Sequence, residues 1–196
     1  PLATSNDGSC LLDYGCTDPT ALNYNPTANC EDNSCIYAMT FVPDSAFEAY
    51  LELNGMGNNI LNDNYVLTTN INTVNTLSIS SLNILDLTGI EDFTLLHSLY
   101  CNNNQIINLD LSQNTNLVVL DCFENQITNL NVSGNEYLTN LNCRYNELEN
   151  IDISNNINLT QLDCSENKLE NLNTINNTEL LYLYCRKNQL TSLNTS

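Results

Sequence analysis

The sequence predicts an α/β, mostly β, solenoid. Short stacked rungs follow a single capping helix, and a small disulfide-stapled module stands in front. Three observations lead there. Cys101, Cys122, Cys143, Cys164 and Cys185 recur at intervals of 21 residues, and leucines keep a fixed frame around each one. Residues 42–57 carry the one clear helical pattern. Cys10, Cys16, Cys30 and Cys35 crowd the start at irregular spacing. The implied division is 1–36 for the module, 37–73 for the helical cap and 74–196 for the repeats.

The module is too small and polar to build a core of its own. Four clustered cysteines in such a segment read as a disulfide framework, which needs an oxidising compartment. Zinc is the weaker reading, because CxxC spacing and a neighbouring His are both missing. Asp18, Asn23, Asn25, Glu31 and Asp32 place hard oxygen donors in a compact loop, as Ca2+ requires. The same residues also build turns through their own backbone bonds, and both readings stand open. Residues 1–10, PLATSNDGSC, align with 26–35, PTANCEDNSC, sharing Pro, Ala, Asp, Ser and Cys in place. The longer stretch GCTDPTALNYNPTANCEDNSC resembles a short acidic Cys module that recurs in tandem in bacterial surface proteins. Such modules usually end in Asp-Asp-Gly-Ser-Cys; here Glu31 and Asn33 replace the first Asp and the Gly. The resemblance implies a Cys16–Cys35 disulfide. Some members carry another Cys where this chain has Leu22, so Cys30 is left to pair with Cys10 or with nothing.

In the cap, Ser45-x-x-Glu48 reads as a capping box. Phe47, Tyr50 and Leu51 share one helix face, and Gly55 or Gly57 can end the helix. A helix here would cover the open core edge of the first rung. The stretch 65–79, YVLTTNINTVNTLSI, then reads as the run into the strands.

Each rung opens with Leu96, Leu117, Leu138, Leu159 or Leu180, and a second Leu follows three residues later. Three residues after each Cys come Asn104, Asn125, Asn146, Asn167 and Asn188. A degenerate rung, 74–90, lies upstream with Leu82 where Asn would fall. Leu-x-Cys alternates with a period of two, so both side chains face one side of a strand. The cysteines then read as small buried hydrophobes rather than redox or metal groups. The burial available to one rung falls well short of the entropy of ordering it, so rungs must stack. Asn at the turn leaving each strand can satisfy backbone groups of its own rung and of a neighbour. A second column, Asn114, Asn135, Asn156 and Asn177, fits a similar task on the far side, where extended or 3-10 segments are expected.

The repeat LxxLxCxxNxLxxL resembles the leucine-rich repeat, with Cys at a position commonly Leu. Over about residues 40–196 the chain is similar to secreted leucine-rich-repeat proteins of flavobacterium-like bacteria. The resemblance implies a parallel β-sheet on the concave face of a solenoid. It further implies that the variable outward residues pave that face.

Charge narrows the partners. Four Lys or Arg oppose 23 Asp or Glu, a formal −19. Nucleic acid binding needs clustered cations to displace counterions, which excludes it as a partner. No run is long enough for a membrane span. All four cations, Arg144, Lys168, Arg186 and Lys187, lie in the repeats. Nucleotide-binding, nucleophile and metalloprotease motifs are absent, and the lone His97 sits at a variable position. Asp121 and Asp163, two rungs or ~10 Å apart by strand spacing, loosely fit a glycosidase pair. Acids are too common here for that pairing to carry weight, and the chain reads as no enzyme.

The expected ligand-binding set on the concave face is Tyr100, Asp121, Phe123, Arg144, Tyr145, Asp163, Tyr182, Tyr184 and Arg186. Aromatic and Arg side chains on an exposed face mark recognition, although β propensity also favours Tyr there. The expected function is a recognition or adhesion module of a secreted or cell-surface bacterial protein, binding an extracellular protein or glycan. A structural spacer within a larger surface protein is the first rival, and a glycan hydrolase the second. Pro1 falls inside a module and residues 195–196 inside a rung, so the chain reads as a piece of a longer protein.

Overall fold

The computed structural model describes residues 12–195. They form two compact units divided between Met39 and Thr40.

In the first unit Cys16 and Cys35 form a disulfide with their Cα atoms 4.8 Å apart. Cys16 is buried beneath its loops. The Gly15 amide donates to the Cys30 carbonyl at 3.1 Å, and Leu22 donates to Ile36 at 2.7 Å. The Cys30 thiol is free, and Cys10 lies outside the described residues.

The second unit opens within β1 (Met39–Phe41), which pairs with β2 (Tyr65–Leu67). Helix α1 (Ser45–Leu53) lies between them. The expected capping box is corrected here. The N-cap is Asp44, whose Oδ1 accepts from the amides of Ala46 and Phe47 at 3.0 Å each. Its Oδ2 accepts from Leu85 and Asp86, which ties the helix start to the first rung. Aspartate is among the strongest N-caps, and it frees Glu48 for another task. Glu48 is fully buried and accepts from the amides of Asn62 and Asp63. The helix closes in a Schellman motif: Met56 donates to the Leu51 carbonyl, Gly55 donates to Glu52, and Gly55 holds φ +73°.

The run 65–79 is also corrected, since a single helical turn, α2 (Thr68–Ile71), interrupts it. The turn buries Ile71, which an extended Thr-Thr-Asn-Ile segment would have to place by alternation alone. After β3 (Thr76–Ser78) and a 3-10 turn (Ile90–Asp92), the rungs repeat. Their leading strands are β4 (Ser98–Tyr100), β6 (Val119–Asp121), β8 (Asn140–Asn142), β9 (Gln161–Asp163) and β11 (Tyr182–Tyr184). With β3 they form one six-stranded sheet in the order β11-β9-β8-β6-β4-β3, every pair parallel. On the far side, β5 (Asn108–Asp110) pairs with β7 (Asn129–Asn131), and β10 (Asn171–Asn173) with β12 (Ser192–Asn194). Those segments are extended, as a rung with no room for a helix requires.

The core is a set of columns. Leu99, Leu120, Leu141 and Leu162 stack in register, and beside them Cys101, Cys122, Cys143 and Cys164 are fully buried. The Leu183, Cys185 and Leu190 positions of the last rung are only partly buried. Asn146 shows how the rungs are joined. Its amide nitrogen donates to the carbonyls of Cys122 and Cys143 at 3.0 Å, and its oxygen accepts from the Ile127 amide at 2.9 Å. Asn125 and Asn167 repeat that arrangement, each reaching back to the preceding rung. On the far side, Asn114, Asn135, Asn156 and Asn177 donate across rungs from fully enclosed positions.

Candidate recognition surface

Because the strands are only three residues long and pair in register, each outward position forms a straight column across the sheet. Ser98, Val119, Asn140, Gln161 and Tyr182 make one column; Tyr100, Asp121, Asn142, Asp163 and Tyr184 make the next. The chain leaves each strand through an inward Cys and then an outward residue, Phe123, Arg144, Ser165 or Arg186. It then turns at Asn103, Glu124, Tyr145, Glu166 or Lys187, all with φ between 52° and 57°. This left-handed conformation disfavours side chains other than Gly, Asn and Asp. No glycine marks the column, so the bend is not legible in the sequence.

The expected binding residues therefore share one outward surface. Tyr182 and Tyr184 are 57% and 50% exposed. Arg144 lies with its guanidinium carbon 4.5 Å from the centre of the Tyr145 ring. Glu166 holds Lys187 at 2.8 Å and Arg144 at 3.9 Å, and the Lys187 bond keeps its carboxyl below the usual range. Asp121 is half-buried. Burial raises its pKa, while bonds from the Phe123 amide and the Asn142 side chain lower it. Asn142 stands between Asp121 and Asp163 in the register, so those two carboxylates lie two strands apart.

A second feature went unread in the sequence. Along the edge where chains enter the sheet, a groove of about 840 Å3 is lined by His97, Val118, Thr139, Thr160, Asn116, Tyr137, Asn158 and Glu179. These are two more columns at the repeat interval. Neither column has a constant residue type, so no repeat motif marks it.

In the first unit the five residues that could hold Ca2+ accept hydrogen bonds from its own loops, some within a turn and some across it. Asp18 accepts from Thr20 and from the Tyr37 hydroxyl, and Glu31 from Thr17 and Asn33. Asp32 accepts from Ser34, Asn25 from Thr27 and Asn23 from Ile36. Those donors hold the carboxyls of Asp18, Glu31 and Asp32 below their ordinary pKa. Among the described residues, Cys16, Glu31 and Cys35 are the three acid or thiol groups close enough to share an ion, and both sulfurs are already joined in the disulfide.

No family model and no curated protein matches the chain. Solved structures do. The functional domain of InlJ from Listeria monocytogenes, which includes a cysteine ladder, aligns over 82% of this chain at 34% identity, with a TM-score of 0.68. The internalin InlF from the same organism aligns over 64% at 26% identity and TM-score 0.56. A leucine-rich-repeat protein from Leptospira interrogans aligns over 54% at 28% identity and TM-score 0.51.

The fold is a leucine-rich-repeat solenoid.

The chain spans 38% of the length of the first two neighbours and 29% of the third. In this solenoid Cys101, Cys122, Cys143 and Cys164 form a buried column of their own. No helix among the described residues is long and apolar enough to cross a membrane.

Proposed function

We propose that the chain is a recognition and adhesion module of a secreted or surface-displayed bacterial protein, binding an extracellular protein or glycan through the outward face of its six-stranded sheet. One observation carries the reading. Half-exposed Tyr182 and Tyr184 stand in register beside the rungs that hold all four of the chain's basic residues. Tyr and Arg are the residue types that concentrate binding energy at interfaces. Similarity to internalin-type solenoids and a disulfide suited to an oxidising compartment support it.

Converting Tyr182 and Tyr184 together to Ser tests the proposal. Both rings point away from the core, so the thermal transition should stay within a few degrees. Capture on arrays of glycans and extracellular proteins should fall at least tenfold, the loss of one modest hot spot. Unchanged capture would refute the assignment and favour a spacer, which has no use for this surface.

A further inference from the structure

Between the last three rungs, the outward face of the sheet sinks into a hollow of about 300 Å3 lined by Arg144, Asp163, Ser165, Tyr184 and Arg186. Its floor holds an unsatisfied polar group. Ser165 is 1% exposed, yet its hydroxyl has no hydrogen-bond partner. Buried hydroxyls are nearly always paired. The Nε of Arg144 is likewise buried and unpartnered, and the guanidinium reaches Glu166 only at 3.9 Å. Arg186 makes no ion pair among the described residues.

Two arginines and an unsatisfied hydroxyl thus line one depression, in a chain with four basic residues against 23 acids. Arginine forks match the geometry of a carboxylate. Asp163 narrows the ligand further. One of its oxygens accepts from the Ser165 amide at 3.0 Å, and the other is open. A bare anion would gain from the arginines but be repelled by Asp163. A ligand that carries a carboxylate and hydroxyl donors on one ring satisfies both, and half-exposed Tyr184 offers an aromatic face to that ring.

We propose that this hollow is a subsite for a uronic-acid residue of a glycan. Arg144 and Arg186 bind its carboxylate, Ser165 Oγ donates to it, and Asp163 accepts from ring hydroxyls. The proposal rests on the sheet face being a recognition surface, and it names one chemical class of ligand for it.

The test is calorimetric titration of the intact chain with trigalacturonate and with its fully methyl-esterified form, which keeps the rings and removes the charge. The acid should bind, and the ester should bind about tenfold more weakly, the scale of a lost charge-assisted contact. Arg186→Gln should weaken acid binding about tenfold while leaving ester binding unchanged. Ser165→Ala should weaken it several-fold, and added salt should weaken it further. Arg186 is exposed, so circular dichroism should show that variant folded. Equal binding of acid and ester, full binding by Arg186→Gln, or no heat at millimolar ligand would overturn the proposal. Tighter binding of an acetylated triglutamate peptide than of trigalacturonate would also overturn it, assigning the hollow to a protein partner. If the Tyr182/Tyr184 variant loses array capture while Arg186→Gln keeps it, recognition stands and the carboxylate subsite falls.

Discussion

Raising the pH from 7 to 10 should weaken this solenoid through its buried thiols. Cys101, Cys122, Cys143 and Cys164 line the core without exposure. Burial pushes the Cys164 thiol from an ordinary 9.0 up to about 12, and moves the other three upward as well. A pKa raised in the folded state gives stability that is complete below the unfolded value and is lost as pH climbs from there toward the folded one. The loss therefore begins near pH 9. At pH 10 an unfolded thiol is about ten-to-one ionised, which favours unfolding by about 1.4 kcal/mol per cysteine and about 6 kcal/mol for the four. That is comparable to the whole stability of many domains, about 5–15 kcal/mol. Urea melts followed by far-ultraviolet circular dichroism at pH 7, 8, 9 and 10, run anaerobically with chelator, would measure it. Cys122→Ala should release one proton fewer on alkaline unfolding, cutting the thiol part of the slope of stability against pH by about a quarter. A flat profile from pH 8 to 10, or the same slope in the variant, would refute the reasoning. Tyrosines titrate in the same range, but they are shared by both proteins and cancel in the comparison.

Three further outcomes follow from the packing. Asn146→Leu keeps the volume but leaves the Ile127 amide without its acceptor and takes one of two Asn donors from each of the Cys122 and Cys143 carbonyls; it should cost about 1–3 kcal/mol in chemical denaturation, and a loss below about 0.5 kcal/mol would remove the Asn column from the account. Gly134→Ala should destabilise by about 1–3 kcal/mol, because its methyl would land on the Ser112 carbonyl oxygen; an unchanged melt would show that the backbone there yields freely. Reducing Cys16–Cys35, separated by 19 residues, removes a constraint worth about 3 kcal/mol; proteolysis should then cut within 12–39 while the solenoid's thermal transition stays in place.

The repeating half was legible because its signal is redundant. Five cysteines and five asparagines at one interval can hardly mean anything but stacked rungs, and each landed in its expected column. Local chemistry with a single copy was harder. Ser45 and Glu48 satisfy the spacing of a capping box, but Asp44 stands one residue earlier and takes the cap, a competition between neighbours that spacing alone does not settle. The 68–71 turn was lost for a similar reason, since Thr and Asn serve strands and turns alike. On the outward face, the columns could be counted from the sequence but not their depth. Nothing in the letters distinguishes Ser165, on the floor of the hollow with an idle hydroxyl, from exposed Arg186 in the same column.

In-register pairing makes the 21-residue interval a unit of editing. Excising residues 122–142 would join Asp121 directly to Cys143, with every buried column still meeting its own kind and the outward pattern shortened by one row. Strand β9 would then follow the rung of Arg144 as before, while Tyr100 would come one row nearer to Tyr184. A surface of this kind can be lengthened, shortened or reordered by recombination between rungs without renegotiating the interior, so its lineage can explore new spacings of aromatic and charged groups faster than a fold whose every loop is unique.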